Sequence, residues 1–166
     1  ANYKGLGVTA AQGVQPRSIS GEHGYSGTDP HAWQNPNNVM TYVRNIATGL
    51  SKADPAGEAV FHANAQAYVQ ELHMLDTWAK AQFAAIAPAR RKVITSHDAF
   101  GYFAAHYGIH FLAPQGISTE TEPSARQVAK LIGQIQREKI RAIFVENMSD
   151  PKLMGAIQSD APFQAR

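Results

Sequence analysis

The sequence predicts an α/β fold in which a long helix is followed by a parallel sheet covered by helices. Three observations carry that reading. Between Lys92 and Gln158, short apolar runs alternate with segments of helical periodicity, and alternation of that kind builds a parallel sheet with both faces covered. Ahead of it, apolar residues recur at helical spacing from Val60 to Ile86 and stop at Pro88. His97 then stands in the turn after the first apolar run, at the carboxyl end of a strand, where open α/β sheets keep their ligands.

Taken in order, residues 1–27 are rich in Gly, Ser and Gln, with one short strand expected at Leu6-Gly7-Val8. Ser20 to Gly27 reads as a flexible loop by composition. A chain that opens on so few apolar residues is expected to be cut from something longer. From Pro36 to about Ala53, Val39, Met40, Val43, Ile46, Ala47 and Leu50 mark one helix, with Asn35 placed to cap it and Pro36 in its first turn. Asp54-Pro55 ends it.

The next helix is expected to carry its stripe on Val60, Phe61, Ala65, Tyr68, Leu72, Leu75, Ala79, Phe83 and Ile86. Roughly thirty residues make a rod of about 45 Å. A rod of that length either crosses between two lobes or packs along a single α/β domain. His62 and His73 lie on it beside polar neighbours and read as solvated.

Three strands follow, Lys92 to Ser96, Ile109 to Leu112 and Ala142 to Val145, separated by helices over Ala99 to Tyr107 and Pro123 to Glu138 and followed by Pro151 to Gln158. His97 comes after the first strand and Glu146 after the third, so a parallel arrangement puts both on one rim. Asp98 is placed to cap the next helix. His106 and His110 flank Gly108 on opposite sides of a turn and read as structural.

The bulk numbers exclude several classes. A chain of 166 residues with a formal charge of +2 and no basic run longer than Arg90-Arg91-Lys92 carries no nucleic-acid groove. It has no cysteine, which removes disulfides, thiolate metal sites and cysteine nucleophiles together. No apolar run approaches the roughly 18 to 20 residues of a membrane span. A targeting segment, if the protein is exported, lies outside these residues.

Any metal would therefore need imidazole and carboxylate ligands. His31 sits in Asp29-Pro30-His31-Ala32-Trp33, a turn feeding a helix, and His97 in Ser96-His97-Asp98-Ala99-Phe100-Gly101-Tyr102-Phe103. A lone histidine in such a turn ordinarily caps or buries itself, whereas two on different segments can share zinc at about 2.0 to 2.1 Å. With Gln115-Gly116-Ile117-Ser118-Thr119-Glu120-Thr121-Glu122-Pro123-Ser124 and Ile143-Phe144-Val145-Glu146, these segments resemble the metal-binding solute-binding proteins of bacterial ABC importers, the zinc and manganese receptors of cluster A-I.

That resemblance implies a two-lobed α/β metal receptor joined by a long linking helix. Residues 1–55 would be the end of an incomplete first lobe, 56–87 the linking helix and 88–166 the first part of a parallel-sheet second lobe. The family's site uses four residues, of which His31 and His97 match the second and third. The first, a histidine early in the first lobe, and the fourth, a late aspartate, have no match between Ala1 and Arg166, so the chain reads as a central fragment. Glu146 is the nearest candidate to substitute as a ligand or to orient a histidine from behind, against a plainer role capping the Pro151 region; His23 is a candidate accessory ligand from its glycine-rich loop.

The resemblance further implies a periplasmic or extracytoplasmic protein that hands a divalent ion to the membrane permease of an ABC importer. Zinc is the preferred ion, with manganese as the second candidate, because receptors with histidine at the third position tend toward zinc. Self-association is expected where absent parts of the lobes would leave apolar surface exposed. Two other classes stay open: a zinc-dependent hydrolase with His31 and His97 as ligands and Glu146 as base, and a metal-free adhesion module. Against the hydrolase, there is no His-Glu-x-x-His, nucleophile elbow or glycine-rich phosphate loop.

Overall fold

The computed structural model describes residues 4–20, 26–114, 124–147 and 151–160. The chain divides into two compact units, the first made of Ala1–Pro16 and Pro30–Ala84, the second of Arg17–Asp29 and Ala85–Arg166.

The first unit is a helical pair. α1, Pro36–Ala53, starts as the sequence predicts: the Asn35 side chain accepts the N–H of Asn37 at 2.9 Å, and Pro36 fills the first helical position, where a missing N–H costs nothing. After a 3-10 turn at Pro55–Gly57, α2 runs from Glu58 to Ala84. At 27 residues it is about 40 Å long. Met40 of α1 closes a core with Val69 and Leu72 of α2, backed by Val39 and Val43.

The buried face of α2 keeps the expected stripe at Leu72 and Ala79, with Phe61, Ala65 and Phe83 half-buried, and departs from it elsewhere. Val69, Leu72, Asp76 and Ala79 are buried, while Val60, Tyr68, Leu75 and Trp78 are exposed. The reason is Asp76, a carboxylate in the middle of the packed face whose Oδ2 receives the Lys80 ammonium at 2.7 Å one turn on. A buried charge is held there by a paired neighbour, and a hydrophobicity pattern passes over it. His62 and His73 are exposed, as expected.

No strand forms at Leu6–Val8 among the described residues. Val8 packs over Gly49 of α1 instead, and just beyond it Asn45 Nδ2 of α1 donates to the carbonyls of Ala10 at 2.7 Å and Gln12 at 2.9 Å. Both ends of the loop expected over 20–27 are strand instead: β1, Ser18–Ser20, pairs antiparallel with β2, Ser26–Thr28. Both strands belong to the second unit.

The rest of the second unit is the parallel sheet. β3, Lys92–Ile94, pairs parallel with β4, His110–Leu112, with Val93 opposite Phe111 and Ile94 opposite Leu112. The third expected strand is reduced to one parallel bridge, Ile94 to Ile143, fastened by Ile94 N–H to Ala142 at 3.0 Å and Phe144 N–H to Ile94 at 2.8 Å. Successive side chains leave a strand on opposite faces, and each face has its own helices.

Ile94 faces α4, Ala125–Glu138, and α5, Pro151–Asp160, in a core of Leu131, Ile135, Ile140, Met154 and Ile157. Ile94 and Ile157 are wholly buried, and each such side chain contributes about 2 to 3 kcal/mol through removal from water. Phe111 faces the other way, stacked on Phe100 at 4.9 Å and meeting Phe103 of α3, Gly101–Tyr107, edge-on at 5.9 Å. α4 opens with a capping box in which Ser124 and Gln127 satisfy each other's backbone N–H groups.

Candidate metal centre

In the second unit, the parallel bridge fixes what meets at the rim. His97 lies three residues beyond Ile94, and Glu146 three residues beyond Ile143. Parallel strands in register carry such positions to the same place, and the two side chains do meet. Glu146 Oε1 accepts the backbone N–H of Ser96 at 3.1 Å and of His97 at 3.3 Å. Its other oxygen, Oε2, pairs with His97 Nδ1.

Ser96 completes the clasp, its hydroxyl accepting the Glu146 N–H at 3.2 Å. Below it, the Thr95 hydroxyl donates to the His97 carbonyl at 3.1 Å. Thr95 and Ser96 are buried, and the His97 and Glu146 side chains are 15% and 19% exposed. A carboxylate can only accept, so the tautomer that suits this pair has its proton on Nδ1 and leaves the lone pair of Nε2 for a metal. A carboxylate behind the non-ligating nitrogen is the usual support of a metal-binding histidine.

Of the positions open for Glu146, the structure brings its carboxylate against the His97 ring and the Ser96 and His97 N–H groups. Both of its oxygens are engaged there, which opposes a role as hydrolytic base. Sequence reasoning reached the shared rim and quoted Ser96 in the His97 segment, but assigned no role to its hydroxyl, which accepts the Glu146 N–H. Asp98 does not sit at the cap: α3 begins two residues later than expected, with Phe100 at its N-cap position. His106 packs edge-on against Tyr107, and His110 is exposed opposite Lys92 on β3.

His31 belongs to the first unit. It is buried, at the start of a 3-10 turn over Ala32–Gln34, with its carbonyl accepting the Gln34 N–H at 3.1 Å. The Trp33 ring stands edge-on to the imidazole at 5.4 Å. Asn38 Nδ2 braces the turn through the Ala32 carbonyl at 2.9 Å. His23 and most of the Gln115–Ser124 stretch lie outside the described residues. Among the described residues of neither unit do three or more His, Asp or Glu side chains form a group that could hold a metal ion.

Against known proteins, the model of the periplasmic zinc-uptake complex component A family, ZnuA, matches residues 2–165. The chain belongs to this family. Among ZnuA-like relatives, it is 32% identical over 152 residues to the manganese ABC transporter substrate-binding lipoprotein PsaA of Streptococcus pneumoniae, covering 92% of this chain and 49% of PsaA. It is 37% identical over 133 residues to the iron ABC transporter substrate-binding lipoprotein MtsA of Streptococcus pyogenes serotype M1, covering 80% and 43%.

Solved structures agree. The periplasmic zinc binding protein TroA from Treponema pallidum superposes with a TM-score of 0.79 at 32% identity, over 87% of this chain and 51% of TroA. The laminin binding protein Lmb of Streptococcus agalactiae, described as a bifunctional protein with adhesin and metal transporting activity, gives 0.82 at 27% identity, over 90% and 55%. The chain thus has the mixed, mainly helical fold of TroA-like receptors with part of their parallel sheet, and it spans about half the length of the curated relatives it matches.

Proposed function

We propose that this chain is the metal-binding portion of an extracytoplasmic receptor that captures a divalent ion and delivers it to the permease of an ABC importer, without making or breaking a bond. The observation that carries the reading is the Glu146 carboxylate set against Nδ1 of His97, which prepares Nε2 as a ligand before any ion arrives. His31 supplies the second imidazole. The family to which the chain belongs supports transport over hydrolysis, since its named relatives are substrate-binding proteins of importers.

Zinc is the preferred cargo and manganese the second. The relatives named above divide among zinc, manganese and iron, so the preference rests on ligand chemistry: imidazole suits zinc, whereas manganese favours oxygen ligands. No helix among the described residues is long and apolar enough to cross a membrane. Competition dialysis with zinc, manganese and ferrous iron tests the reading: zinc should displace manganese from the protein, and retention of manganese against equal zinc would overturn the preference.

A further inference from the structure

We infer that Asp29 is a positioning residue for metal capture, acting through Gly101; the inference rests on the reading of His31 and His97 as ligands. The Asp29 side chain has no exposed surface, an unusual state for a carboxylate in a turn of Ser, Thr and Pro. It sits just past the paired ends of β1 and β2, where its N–H donates to the Arg17 carbonyl at 2.7 Å and its Oδ2 lies 3.8 Å from Arg17 Nε. Arg17 in turn donates its backbone N–H to the Tyr102 hydroxyl at 2.8 Å.

The carboxylate and the guanidinium close under the first residue of α3. A β-carbon added to Gly101 would stand 2.6 Å from Arg17 Nε and 2.7 Å from Asp29 Oδ2. Only glycine admits that approach. The first turn of α3 is thus seated on Asp29, and α3 is the element that begins four residues after His97. The Phe100 side chain gives α3 no cap, so a carboxylate beside its first turn also complements the helix dipole. On the other side of Asp29 the chain reaches His31 through Pro30 alone, and proline fixes one of the intervening torsions.

One buried carboxylate therefore anchors the segment that leads into the first imidazole and seats the helix that follows the second. Loss of Asp29 should loosen the segment leading to His31 and the start of α3 behind His97, while leaving both cores intact.

The test is zinc titration of the wild-type chain, Asp29→Ala, Gly101→Ala and the double variant well below their melting temperatures, with amide exchange across His97 to Gly101 followed in metal-free protein. Each single variant should bind about tenfold more weakly and exchange faster at the start of α3. The double variant should be no weaker than the worse single one, because both changes break one contact and coupled sites are not additive. Asp29→Asn, which keeps the volume, should show the same loss and serves if Asp29→Ala does not fold. Wild-type affinity in Asp29→Ala or Asp29→Asn, or losses that simply add, would overturn the role of Asp29; absence of zinc binding by the wild-type chain would instead overturn the ligand reading beneath it.

Discussion

His97 and Glu146 stand equally far, three residues, beyond the parallel bridge between Ile94 and Ile143, and their side chains meet there. A single backbone pairing thus fixes the orientation of an imidazole, with the carboxylate further pinned by the N–H groups of Ser96 and His97. The unit's core and the proposed support of its histidine ligand share this one bridge.

Removing the carboxylate should therefore weaken zinc binding without unfolding the chain. Glu146→Ala is expected to lose about 10- to 100-fold in affinity, read by calorimetric titration. Unchanged affinity would mean that His97 needs no support from behind.

Core burial gives a second expectation. Ile157 is wholly buried against Ile94 and Met154, so Ile157→Ala should cost about 2 to 5 kcal/mol in urea unfolding. Val145→Ala, at an exposed position, should stay within about 0.5 kcal/mol. Equal effects at the two positions would contradict the core assignment.

Lys139 ends α4 in the left-handed region, at φ 52° and ψ 43°. Glycine is the residue that accepts this conformation without a β-carbon penalty. Lys139→Gly should raise the stability of the second unit by about 1 kcal/mol, measured as a shift in unfolding midpoint; a loss would show that the lysine side chain contributes more than the strain it imposes.

The pH dependence has a defined sign at Glu138. Its carboxyl is held below the usual range by the hydrogen bond from Lys92, at 2.8 Å, and by a second from Gln134, also at 2.8 Å. A lowered folded pKa means that the contribution is fully present above the unfolded carboxyl value and disappears as pH falls through the folded one. Unfolding midpoints of wild type and Glu138→Gln should therefore differ at neutral pH and converge in acid. A difference independent of pH would remove this pair from the account.

Much of this was legible in the sequence where local chemistry is repeated or punctuated. Asn35-Pro36 announced α1, and the strand–helix alternation placed His97 and Glu146 on one rim before any coordinates. The antiparallel pairing of β1 and β2 was not legible, because three-residue strands of Ser, Gly, Thr and one Ile carry no apolar alternation. On α2 the stripe holds at Leu72 and Ala79 but passes over Asp76, because a hydrophobic pattern does not see a buried carboxylate, and it includes Tyr68 and Leu75, which are exposed. Ser124 and Gln127, a capping box at the right spacing, could have fixed the start of α4 more closely. The seat of Gly101 on Asp29 joins residues far apart in sequence, and no local pattern encodes it.

The central proposal is that His31 and His97 each serve as a metal ligand. The most direct measurement is zinc titration calorimetry on the wild type, His31→Ala, His97→Ala, their double variant and His62→Ala. The account predicts one zinc per chain, a large loss in either single variant, little further loss in the double, and no change in His62→Ala, whose side chain is exposed on α2. Full-affinity binding of one zinc after removal of either His31 or His97 would contradict it.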